Sequence, residues 1–331
     1  VPSTLYGTFT GTPNNGLISI PISRGDDVNA VYHQGLNGTE ITNYSDNWNL
    51  VGNPYPSAIS GGTFLYNNRA AIAGNIKLWT HGTLPSAITS PFYGSFAYNY
   101  SPGDYLTYNY TGTNCCPTAG EDLYVGAAQG FFVQMNDGPS ATDSVVFDNS
   151  LRHQNYSNTT FYRNASASTN TEFTNIERHR IWLDLLDANT NSDRMLVGYI
   201  EGATNRKDHF FDAVTQYTGS MALYSLIGTE KFNIQGRRLS FDNKDVIPLG
   251  VAIPTAGKYT IALGAVDGLF SNPSRAIYLE DKLTGKLHNL KNSPYSFTIN
   301  QGQSNNRFAL RFRNKIESAE EHDRNVTENT V

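Results

Sequence analysis

Apolar and polar residues alternate with a period of two in short runs along the whole chain. That period marks half-buried β-strands, because successive side chains point to opposite faces. In the first half it predicts strands at residues 17–22, 48–52, 76–80, 96–100, 105–110, 130–134 and 144–147. At 76–80, Ile76, Leu78 and Thr80 share one face, and Lys77 and Trp79 the other. Asn53-Pro54-Tyr55-Pro56 ends the run at 48–52 as a rigid structural turn. Proline donates no ladder bond and restricts the residue before it. Ser101-Pro102-Gly103-Asp104 separates two aromatic strands, and Asn136-Asp137-Gly138-Pro139 predicts a hairpin between 130–134 and 144–147. Only residues 63–73 suggest a helix, with poor amphipathicity.

The rhythm breaks at 149–174, where Asn, Ser and Thr dominate, although Phe161-Tyr162-Arg163 there suits a short pairing strand. It resumes at 180–185 and 195–200, then at 221–225, 232–234, 246–251, 257–263, 276–280, 286–290, 295–298 and 307–312. The fold class this predicts is all-β: two β-sandwich domains, jelly-roll or immunoglobulin-like, in series, with at most one short helix. The expected domains are 1–150 and 175–314, joined by a polar connection at 151–174. Residues 315–331 read as a polar linker. Trp48 and Trp182 are the expected core anchors.

Composition sharpens this picture. Charged residues make up 16% of the 331, against about 25% in an average soluble protein. Polarity comes instead from Asn, Thr, Ser and Gly, as expected of an extracellular β-protein. The net charge of −5 disfavours a nucleic-acid partner, which selects a basic patch. No apolar run is long enough to insert in a bilayer as a helix. Cys115 and Cys116 are adjacent, suited to a vicinal disulfide or two reduced loop thiols, and no C-x-x-C pattern occurs. Val1 opens without a signal peptide, so the chain is expected to be a piece of a longer precursor.

No nucleophile elbow, zinc helix or phosphate loop occurs, and the seven histidines sit at no metal-ligand spacing. No catalytic residue and no obligate cofactor are therefore expected. Asp187, Asn189, Asn191 and Asp193 place oxygen donors at alternate positions, the spacing calcium loops use. Ser192 stands where such loops need glycine and Gly198 where they need glutamate, so a polar hairpin loop is the competing reading. The acids of 201–212 suit backbone capping, or a calcium site with Glu201. Tyr98, Tyr100, Tyr105 and Tyr108 belong to a dense tyrosine group. Such rings either stack on sugars as glycan contacts or fill a sheet's core.

Several segments together resemble the C-terminal regions of flavobacterial (Bacteroidetes) cell-surface proteins exported by the type IX secretion system. The carriers are Trp48-Asn49-Leu50-Val51-Gly52-Asn53-Pro54-Tyr55-Pro56, Ala128-Gln129-Gly130-Phe131-Phe132-Val133 and Arg178-His179-Arg180-Ile181-Trp182-Leu183. Leu196-Val197-Gly198-Tyr199, Gln235-Gly236-Arg237, Val246-Ile247-Pro248-Leu249-Gly250, Tyr278-Leu279-Glu280-Asp281-Lys282 and Arg307-Phe308-Ala309-Leu310-Arg311-Phe312 continue the series. The resemblance implies a non-catalytic protein of the bacterial outer cell surface, acting in adhesion, gliding or fibre building. It implies partnership with the secretion machinery through a sorting domain lying beyond Val331, and with surface glycans or copies of itself. The alternative is a carbohydrate-binding accessory module of a secreted polysaccharide hydrolase. Asp143-Ser144-Val145 matches the triplet at which such proteins carry O-glycans, making Ser144 a candidate.

Overall fold

The computed structural model describes residues 10–25, 33–34, 40–41, 46–80, 105–115, 123–156, 158, 176–189, 191–215 and 221–314. Their regular structure is almost entirely β-strand, as the alternation predicts. The first region holds β1 (Ile18–Ser23), β2 (His33–Gln34), β3 (Glu40–Ile41), β4 (Trp48–Gly52) and β5 (Ile59–Ser60). It continues with α1 (Gly61–Asn67), β6 (Ile72–Trp79), β7 (Tyr105–Asn109), β8 (Gly112–Thr113), β9 (Tyr124–Val125), β10 (Gly130–Met135) and β11 (Thr142–Phe147). A five-stranded sheet runs β4-β10-β6-β7-β8, beside the pairs β1-β11, β5-β9 and β2-β3. Their shared core includes Ile59, Phe64, Ile76, Leu106, Phe131, Val133 and Phe147.

Three expectations fail here. The helix starts earlier and stops sooner than 63–73, because Ser60 caps Thr63 N (3.0 Å) and Asn68 closes on Phe64 O (3.1 Å). From Ile72 the chain is strand. The hairpin at 130–147 does not form either. β10 is paired on both sides, by β4 and β6, which leaves no edge for β11. Arg24 holds the intervening turn, donating to Gly138 O (2.7 Å) and Ser140 O (2.9 Å), and β11 pairs with β1 instead. Trp48 is half-buried rather than a core anchor, with Lys77 Nζ 4.3 Å over its ring. Burial pushes the Lys77 ammonium down to about 8.

Asparagine side chains stitch these small sheets together. Asn49 accepts from Ser23 N (2.9 Å) and donates to Ser23 O (2.7 Å). Asn68 does the same to Val146 (2.6 and 3.0 Å). A primary amide has the donor and acceptor of a peptide group, so each mimics one rung of a β-ladder where no strand reaches.

The second region is one continuous sheet. Its strands are β12 (Arg178–Leu186), β13 (Ser192–Ile200), β14 (Ala213–Val214), β15 (Ala222–Ile227), β16 (Glu230–Arg238) and β17 (Val246–Ile253). Then follow β18 (Gly257–Val266), β19 (Tyr278–Asp281), β20 (Lys286–Asn289), β21 (Tyr295–Ile299) and β22 (Gly302–Arg311). The order is β20-β19-β22-β17-β15-β16-β13-β12-β18-β21, with β14 on β16. All pairs are antiparallel except β13–β16. The far end bends back: Phe297 of β21 packs on Phe308 of β22 (4.7 Å between centroids), and Tyr295 donates to Asp281 of β19 (3.0 Å). The apolar side chains so enclosed, among them Leu183, Val197, Leu249, Phe270 and Phe308, form a separate core. No helix among the described residues is long and apolar enough to cross a membrane.

Candidate functional site

The expected site residues disperse. Tyr98 and Tyr100 lie outside the described residues. Tyr108 is in the first core, 3% exposed, and Tyr105 is half-buried edge-on to Phe132 (5.7 Å). Tyr108 therefore cannot be a glycan contact. Its ring lies on the face of β7 that the sheet buries.

The Asp187 loop closes on itself. Asp187 accepts from Asn189 N (2.8 Å), Asn191 N (2.9 Å) and Asn191 Nδ2 (2.7 Å). Asp193 instead accepts from Leu223 N of β15 (2.7 Å), where burial raises its carboxyl to about 7. Asp187 and Asp193 thus accept from different backbone groups, one within the loop and one on β15. The acids of the next loop cap backbone as well. Asp208 takes Thr204 N (2.5 Å), and Asp212 takes Asp208 N (2.6 Å) and Gly236 N (2.8 Å). Among the described residues no three His, Cys, Asp or Glu side chains group to hold a metal.

Ser144 sits half-buried on β11 opposite Pro21, its N–H on Asp143 (2.7 Å). The 53–56 turn is built around Asn53, whose amide donates to the carbonyls of Ser57, Val125 and Gly126 (2.9, 3.1 and 3.0 Å). Its oxygen accepts from Tyr55 N (3.0 Å), and Tyr55 OH reaches Gly16 O (2.6 Å). Cys115 is disulfide-bonded. The chain's other cysteine, Cys116, lies outside the described residues.

Two features escaped the sequence reading. One is the seam between the regions. Trp182, fully buried, donates its indole N–H to Thr113 O (2.8 Å), and Arg194 donates to Cys115 O (2.7 Å). Tyr110 N donates to Phe210 O (2.9 Å) and Thr111 Oγ1 to Phe211 O (2.7 Å). Phe210 stacks on Tyr110, centroids 4.9 Å apart. Gly198 and Gly236 face each other across the parallel β13–β16 pair. A Cβ on Gly198 would lie 2.6 Å from Thr111 Cγ2, and one on Gly236 would collide with Phe211. Only bare backbone admits that approach.

The other feature is a polar cavity of about 220 Å³ at the β16–β17 connection. Its floor holds Tyr199, which donates to Asp245 (2.7 Å), itself clamped by Arg237 through two bonds (2.6 and 2.7 Å). Burial, reinforced by Asp245, raises the Tyr199 hydroxyl well above its ordinary range. Asn205, Arg238, Ser240, Asp242 and Lys244 form the exposed rim. The Arg237-Arg238 doublet beside Asp242-Asn243-Lys244-Asp245 was the available sequence signal, but similar polar turns recur along the chain.

A family model described as Domain of unknown function (DUF8693) matches residues 1–312. The chain belongs to that family. No curated protein and no solved structure matches it.

Proposed function

We propose that this member of the DUF8693 family is a non-catalytic unit of a secreted bacterial surface protein, acting in adhesion, gliding or fibre structure. The observation that carries the reading is the seam. Trp182, Arg194, Tyr110 and Thr111 bond the two regions through main-chain carbonyls at a glycine-lined contact. A body that displays loops at a surface gains from such coupling, because load applied to one region reaches the other without a free hinge. Three ion pairs of the second region point the same way. Arg180–Asp267, Arg237–Asp245 and Arg307–Asp281 are ion pairs within the sheet, each satisfied by its partner. Export would use the type IX machinery through a sorting domain outside this chain, and residence would be on the outer cell surface.

Protease shaving of intact source cells should release this chain, and cells lacking it should attach or glide less. Retention of the chain inside cells, or turnover of any ester, peptide or glycoside in a broad panel, would overturn the reading. The polar cavity supports a second one, a carbohydrate-binding accessory module, now without Tyr108 as a contact.

A further inference from the structure

We infer that the cavity at the β16–β17 connection is a binding site for one acidic sugar unit, a uronic acid at the end or edge of an anionic polysaccharide. The inference rests on the second reading's ligand class and is independent of surface adhesion.

The rim and the floor differ in chemistry. Below, Arg237 and Asp245 neutralise each other in a two-bond clamp and Tyr199 completes it. Those groups are satisfied, so they shape the cavity and bind nothing further. Above, Arg238 and Lys244 are exposed, and among the described residues neither side chain meets a carboxylate. Two such cations at one cavity stand out in a chain whose 29 acids outnumber its 24 Lys and Arg. A planar carboxylate suits a guanidinium through two parallel bonds, with an ammonium as a second charge.

Charge alone would accept any small anion. The rest of the rim narrows the choice. Asp242 spends one oxygen on Lys244 N (2.8 Å), which leaves the other as an acceptor. Asn205 uses its carbonyl on Arg238 N (3.3 Å), which leaves its amide hydrogens as donors. The Ser240 hydroxyl can do both. Sulfate repels Asp242 and has no hydroxyl to offer it. A uronic acid places one carboxylate beside several hydroxyls and matches both sets. The volume, about 220 Å³, is smaller than a drug-sized pocket and suits one sugar unit.

The test is an amide NMR titration of the whole chain with three probes: trigalacturonate, neutral galactotriose and sodium sulfate. Trigalacturonate should give saturable shifts at Asn205, Arg238, Ser240 and Lys244, with a dissociation constant on the order of 1 mM. Arg238→Ala and Lys244→Ala should each weaken it about tenfold, as expected for loss of a charge-assisted bond. Both side chains are exposed, so an unchanged melting curve checks the fold. Asp242→Asn should weaken trigalacturonate, by loss of a hydroxyl acceptor, and strengthen the sulfate response, by loss of a repelling charge. No saturation by trigalacturonate, or binding undiminished from that of the unaltered chain in the two alanine variants, would overturn the site. Equal affinity for sulfate would reduce it to an anion site and overturn the sugar assignment. None of these outcomes touches the surface reading, which the cell experiments decide separately.

Discussion

The two regions solve the same problem with different side chains. In the first, strands are short and divided among several small sheets. Asparagines replace missing ladder rungs at the breaks, as Asn49 does for Ser23 and Asn68 for Val146. In the second, one sheet carries its own ladder, and arginine–carboxylate pairs brace it. Arg194 faces Asp184 directly across β13–β12, and Arg307 holds Asp281 where the sheet bends back. The lesson concerns what each group leaves behind when removed. A neutral amide leaves unpaired dipoles, and an arginine leaves a buried charge.

That contrast predicts an order of effects. Arg307→Ala should be the most damaging, because Asp281 is fully buried. Stranding one member of a buried ion pair costs about 3–5 kcal/mol. The urea midpoint should fall accordingly, and a loss below 1 kcal/mol would sink the contrast. Asn68→Ala should cost about 1–3 kcal/mol through the Val146 groups it leaves unpaired, read by the same melt. Gly198→Ala should cost a similar 1–3 kcal/mol by overpacking the seam. It should also split thermal unfolding into two steps, one per region. A single transition of unchanged midpoint would mean that the seam does not depend on the bare backbone at Gly198.

The carboxyls of the second region give opposite pH responses. Burial raises Asp193 to about 7, and it also raises Asp212 to about 7. For both, the folded state binds more protons than the unfolded state between about pH 4 and pH 7. Stability from these groups is present below pH 4 and is lost as pH rises through 7. Burial also works on Asp281, but the bonds from Arg307 and Tyr295 outweigh it and hold that carboxyl below its ordinary value. Its contribution is present at neutral pH and is lost as acid protonates it. Carboxyl NMR titration should place the Asp193 and Asp212 midpoints near 7, and midpoints below 5 would contradict the burial argument. The smallest effect belongs to Asp187→Ala. It should cost about 1 kcal/mol as a lost loop cap, with a melting curve that chelator leaves unmoved. A calcium-dependent shift abolished by this substitution would restore the metal reading.

Strand positions were largely legible in the alternation, above all after residue 175, where every predicted run contains strand. Which strands pair was less so. β10 and β11 look like a hairpin because a turn sequence joins them, yet β10 already has two neighbours. Trp48 and Trp182 look equally like core anchors, but only Trp182 is fully buried, at a seam no local pattern announces. The Asp187 loop has calcium-like spacing, while hydrogen bonding to its own backbone decides its role. The cavity was legible only as a polar turn at 237–245 like others in the chain, since Asn205 lies 33 residues before Arg238 and meets it only through the fold.

The sequence by itself determined that the regular structure of the described residues is β apart from a short helix, because period-two burial and turn chemistry are local properties of the chain. It also determined that polar amides would be plentiful, without saying what for. Tertiary structure decided pairing, the asparagine stitches, the glycine seam and the polar cavity. Each depends on groups far apart in sequence meeting at hydrogen-bond distance, and no local propensity encodes that.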